Sequence, residues 1–243
     1  MGSVAFPFAA LMRYFADSPA PAVRLVRVRV WAVVASALIF GLAVAFVAVA
    51  RHVPKERAGL HVDLAFARSA DEVRALTPAS LYLAVLDAQH DDSYFFIPLY
   101  WAAISSIGAF LLLNGGQLNR RSGWTVILII SAVAFCDLRE NTRIVGALGS
   151  ASLEGPAPWG IVKWLLVFVL AGVLALPLLR RMASLRKHAK LVAGTFAFSS
   201  AFGLLDTLLF HGMIPWAMLM FATGLFLLAL LLIWDFNFLG ARS

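Results

Sequence analysis

The chain has 243 residues, 62% of them hydrophobic and only 14% charged, with a net charge of +7. A soluble domain carries about 25% charged residues, so this composition excludes an ordinary soluble fold and predicts a polytopic membrane protein. In a soluble chain the basic excess would suggest nucleic acid. Here it falls in short loops between apolar runs, where membrane topology accounts for it.

The apolar runs are continuous rather than alternating. Backbone groups in lipid must bond internally, and about 20 apolar residues are needed to cross, so the runs read as helices. An all-α bundle of six spans is expected, at about 30–50, 94–114, 124–144, 159–179, 190–210 and 214–234. Residues 1–29 form a tail, in which "FPFAALMRYF" fits an interfacial helix or a poorly ordered end equally well. Residues 30–243 form a single membrane domain. No basic-then-apolar pattern with a small-residue cleavage site opens the chain, so no cleaved leader is expected. "MGSVAF" places Phe6 where a myristoylation signal needs Ser or Thr.

Lys and Arg set the orientation. Arg13, Arg24, Arg27 and Arg29 precede the first span. Arg120 and Arg121 lie between the second and third, and "RRMASLRKHAK" lies between the fourth and fifth. The loops 145–158 and 211–213 carry no Lys or Arg. Both termini are therefore expected in the cytoplasm, with 51–93 outside. In that outer segment Ser69 and Glu72 have capping-box spacing. Thr77 and Pro78 read as the N-cap and first residue of a second short helix that runs into span two.

The informative stretch is "FCDLRENTRIVG", which closes the third span. Ionisable groups inside a span are costly and face a bundle interior or wet cavity. Asp137, Glu140 and Asn141 share one helical face by their i, i+3, i+4 spacing, and Arg139 and Arg143 share a neighbouring one. Glu140 and Arg143 are spaced to pair along the helix. Lys163 lies one turn into the fourth span. Asp91 and Asp92 open the second, and Asp206 and His211 close the fifth, all near the outer level. Asp137, Glu140, Arg139, Arg143 and Lys163 sum to +1, so a self-satisfied salt-bridge network is one reading. A pocket is the other.

Asp92 in "DDSYFFIPLYW", the D-x-x-E-N of Asp137, Glu140 and Asn141, and Lys163 in "WGIVKWLL" together resemble a pattern in small uncharacterised bacterial membrane proteins, over about residues 60–180. The resemblance implies that these residues act as a set, but no activity; the expected location is the bacterial cytoplasmic membrane.

The chain holds no GxSxG, HExxH, CxxC, Walker A or GxGxxG motif. Its single cysteine, Cys136, allows no internal disulfide. No span interior carries the paired histidines a haem would want. Zinc would have to draw on His61, His90 and His211 with the acids. Cofactor and metal are accordingly expected to be absent. The expected function is an enzyme or binder of a lipid-like substrate on the outer side. Asp137, Glu140 and Lys163 would carry acid/base chemistry, with Lys163 or Arg143 stabilising an anionic head. Asp92, Asn141, Arg143 and Asp206 would bind. A proton- or cation-coupled transporter and a non-catalytic scaffold are the alternatives. Membrane lipid is the expected partner and nucleic acid is not. A homo-oligomer or larger membrane complex stays open.

Overall fold

The computed structural model describes residues 21–50, 59–114, 117–149, 154–180, 187–209 and 212–234. The tail "FPFAALMRYF", residues 51–58 of the outer segment, Arg181, Arg186 and His211 lie outside them. Apart from an isolated bridge between Ser69 and Glu154, the described residues are helical or in turns.

The helices in chain order are α1 (Pro21–Ala50), α2 (Leu60–Ala65), α3 (Ala70–Leu76), α4 (Tyr82–Asp91), α5 (Ile97–Leu113), α6 (Gln117–Leu148), α7 (Ala157–Leu179), α8 (Lys187–Leu209) and α9 (Ile214–Trp234). A π-helical turn, Asp92–Phe96, joins α4 to α5 without a break. Six segments are long and apolar enough to cross a membrane: Leu25–Val44, Tyr82–Leu113, Leu118–Leu148, Ala157–Leu179, Lys187–Leu209 and Ile214–Trp234. They overlap the six apolar runs, the first beginning about five residues earlier than the sequence suggested. The second and third are longer than the sequence suggested because polar flanks such as "LDAQHDD" and "QLNRR" continue the helix.

Sequence neighbours among the long helices pack side by side, and α9 returns to pack on α1. The result is a closed ring in the order α1, α5, α6, α7, α8, α9. Its interior is a single apolar core that includes Phe110, Phe168, Phe196 and Ile130. Small residues allow close approach. A Cβ on Gly123 would stand 2.6 Å from the Gly108 carbonyl, so α5 and α6 meet backbone to backbone there.

At about 1.5 Å per residue, the 32 residues of α6 extend roughly 48 Å, well past the roughly 30 Å of a hydrocarbon core. The projecting ends of α4 and α6 support a cap made of α2 and α3. Leu60, Leu64, Val73, Val85, Ile144 and Ala147 form its separate apolar cluster. Ser69 caps α3 by accepting from the Glu72 N–H at 3.2 Å. The Glu72 carboxylate takes the Arg68 N–H at 2.6 Å, one residue earlier than a standard capping box provides. The expected helix start at Thr77 is corrected. Thr77 is the C-cap of α3, and residues 78–81 turn before α4, closed by Leu81 N–H to the Pro78 carbonyl at 2.8 Å. The backbone of the residue before a proline is disfavoured in the helical region, and Thr77 leaves it with ψ 73°, which ends α3 there.

Candidate functional site

The π turn has a cause in the sequence. Pro98 has no N–H, and its ring crowds the carbonyl four residues back. The preceding chain widens by one residue to accommodate it. This turns Asp92 and Ser93 toward α6, where the Asn141 amide donates to Asp92 Oδ2 at 2.7 Å and to Ser93 Oγ at 3.0 Å. One turn earlier on α6, Asp137 is approached from both sides. Tyr100 of α5 donates to its Oδ2 at 2.9 Å. Lys163 of α7 donates to its Oδ1 at 2.9 Å. Lys163 also donates to Glu140 Oε1 at 2.7 Å, and its Nζ lies 4.9 Å from the centre of the Trp164 ring.

The three central side chains are nearly enclosed, with Lys163 10% exposed, Asp137 11% and Glu140 5%. The shared face of Asp137, Glu140 and Asn141 is therefore real, and it meets α5 on one side and α7 on the other. Lys163 stands between two carboxylates.

Two parts of the sequence reading are corrected. Glu140 does not pair with Arg143, since Glu140 turns inward to Lys163 while Arg143 pairs with Glu154 at 2.6 Å. Arg139 is exposed and lies over the Trp159 ring at 5.5 Å. With both arginines facing elsewhere, the layer is not a balanced network. Asp137 and Glu140 share one ammonium, Lys163, and a third carboxylate, Asp92, joins the layer through Asn141. In addition, Lys163 spends its ion pairs inside the cluster and offers none to an anionic head group.

Asp206 stands apart from these bonds. It is buried near the end of α8, and its Oδ2 accepts the Met213 N–H at 2.7 Å, closing the turn into α9. His90 is exposed and lies against the Tyr94 ring at 4.5 Å.

The satisfaction of the acids is uneven. Both Asp137 oxygens have donors. Glu140 Oε2 is buried and has none. A carboxylate oxygen in that state costs free energy unless something donates to it. Sequence reasoning missed three contributors: Tyr100, Ser93 and His61. Tyr100 sits in an apolar run with nothing to mark its hydroxyl. Ser93 follows the Asp pair, but its aim depends on the π turn. His61, on the cap, was weighed only as a zinc ligand. Burial and then the Lys163 charge lower its imidazole below the usual 6.5, with Asp137 opposing.

Among the described residues, no group of three or more His, Cys, Asp and Glu side chains stands where it could hold a metal ion. No protein-family model, curated protein or solved structure matches the chain.

Proposed function

We propose that the chain is a multi-pass protein of the bacterial cytoplasmic membrane with both termini inside and the cap outside. The Lys and Arg bias of the loops supports that orientation. Its polar layer is an acid/base site for a lipid-like ligand whose head group brings a hydrogen-bond donor, a hydroxyl or an amine. The observation that carries this reading is Glu140 Oε2, a buried carboxylate oxygen without a donor, beside a cluster with more carboxylates than cations. Glu140 is the open base. Asp137, held by Tyr100 and Lys163, fixes the ammonium that holds Glu140 in place. Asp92 and Asn141 extend the polar surface toward the cap.

Transport is the weaker reading. At the opposite end of the bundle, α5, α7 and α9 line a small pocket with Ile107, Phe110, Leu111, Leu174, Leu178 and Leu228, which offers an ion no polar route. A scaffold role has one specific observation in its favour, the two ion pairs by which Lys163 ties α7 to α6.

The test is gentle extraction followed by mass spectrometry of co-purifying lipid. The native protein should retain an amine- or hydroxyl-bearing lipid, and Glu140→Gln, folded to the same extent, should lose most of it. Equal retention by both proteins, or none by the native protein, would overturn the ligand site and leave the scaffold.

A further inference from the structure

The cap is fixed to α7 in a definite register. Gly155 donates its N–H to the Arg68 carbonyl at 3.2 Å, and Ala157 donates to the Ala67 carbonyl at 3.0 Å. A Cβ on Gly160 would collide with the Ala65 carbonyl. As numbers fall along the cap they rise along α7, so the two segments run antiparallel. One further turn back from Ala65 is His61, and one further turn along from Gly160 is Lys163. The register thus brings His61 and Lys163 to a similar level of the contact between α2 and α7. The charges of both Lys163 and Asp137 act on the imidazole.

We infer that His61 is a further residue of the site, an acid/base group that the cap sets over Lys163 and Asp137 on the side from which a ligand enters. This rests on reading the cluster as an acid/base site. The other charged groups of the cap are engaged elsewhere or exposed. Asp63 on α2 is exposed. On α3, Glu72 takes the Arg68 N–H, while Arg74 pairs with Asp71 and donates to the Ala147 carbonyl. From the bundle, Lys163 of α7 and Asp137 of α6 face His61. It is half-buried, so it meets both the cluster and the outside, a position suited to exchanging a proton with a head group as it arrives.

The experiment follows modification of His61 by diethylpyrocarbonate against pH, read residue by residue by mass spectrometry in detergent. The reagent attacks the neutral imidazole, so the midpoint reports the proton on His61. In the native protein that midpoint should lie below the one in the denatured chain. Lys163→Met should raise it by about one pH unit and Asp137→Asn should lower it, the directions expected for removing a like and an opposite charge. A His61 out of reach of the cluster's charges would respond to neither. If Lys163→Met does not fold, Asp137→Asn decides alone: a downward shift upholds the inference and an unmoved midpoint overturns it. A retained lipid with an uncoupled His61 overturns this inference and leaves the ligand site. A coupled His61 with no retained lipid keeps the residue in the cluster and overturns the ligand reading.

Discussion

Lys163→Met is the most severe single change the site offers. Lys163 makes two ion pairs, 2.9 Å to Asp137 and 2.7 Å to Glu140, with side chains only 5–11% exposed. Methionine keeps most of the volume and removes the charge, so packing changes little. What remains is two buried carboxylates with no cation between them. A hydrogen bond to a charged group contributes about 1.5–3 kcal/mol, and two are lost. Breaking a buried pair by removing one partner costs about 3–5 kcal/mol, which agrees. Unfolding of the native protein and the variant in mixed micelles should therefore differ by about 3–5 kcal/mol. The triple variant Asp137→Asn, Glu140→Gln, Lys163→Met leaves no buried charge in the trio, so it should recover most of that loss. A Lys163→Met protein within about 0.5 kcal/mol of the native one would refute the reasoning, because the carboxylates would then have to be hydrated or already neutral. A triple variant as unstable as the single one would point to lost packing instead of lost charge.

Tyr100→Phe removes only the donor to Asp137 Oδ2, so unfolding in the same assay should show a loss of about 1–3 kcal/mol. Arg143→Gln breaks an ion pair to Glu154, which is 74% exposed. Such pairs are worth about 1 kcal/mol or less, and a loss as large as that of Lys163→Met would contradict the burial. Gly160→Leu puts a side chain where the Ala65 carbonyl lies. Faster hydrogen exchange across residues 59–76, with α9 unchanged, is expected, and unchanged exchange would mean the cap is not seated on α7. His61 is held below 6.5 in the folded protein. As pH falls through 6.5 the unfolded chain takes up a proton that the folded one resists, so His61 costs no stability above 6.5 and destabilises progressively below it. His61→Gln should lose less stability than the native protein between pH 7.5 and 5.5, and equal losses would remove His61 from the cluster.

How much of this was legible follows from the range of each interaction. The six long helices were legible because twenty contiguous apolar residues are a local signal. Their ends were not, because "LDAQHDD" and "QLNRR" are polar yet compatible with helix, and hydropathy does not mark where a helix stops. The inward face of Asp137, Glu140 and Asn141 followed from spacing alone. The partners of Glu140 and Arg143 did not. Spacing put them in reach of each other, but Lys163, 23 residues from Glu140, and Glu154, in the turn before α7, won both. An ammonium one turn inside an apolar helix has few ways to be satisfied, whereas an arginine near the end of α6 reaches a solvated partner. Ser93 depended on the π turn, which adds one residue and rotates everything before it, while Tyr100 lay in an apolar run with nothing to mark its hydroxyl.

The same comparison explains why the polar layer sits beneath the cap. Elsewhere in the bundle several buried hydroxyls bond to backbone carbonyls: Ser36 to Ala32 and Ala229, Ser106 to Ala102, Thr207 to Gly203, Ser199 to Ala217. Most of these stay within one helix and reach only four residues back. Side-chain-to-side-chain bonds between helices gather where α5, α6 and α7 pass under α2, together with the Trp101 to Ser131 bond between α5 and α6. A layer that served packing alone would be expected to end balanced, since an unmatched buried carboxylate weakens the bundle it is meant to hold. This one keeps three acids for one lysine, leaves one oxygen of Glu140 without a donor, and is roofed by a short helix that carries a histidine. Imbalance beneath such a cap is the arrangement expected if a proton or a donor-bearing head group completes the site, as proposed.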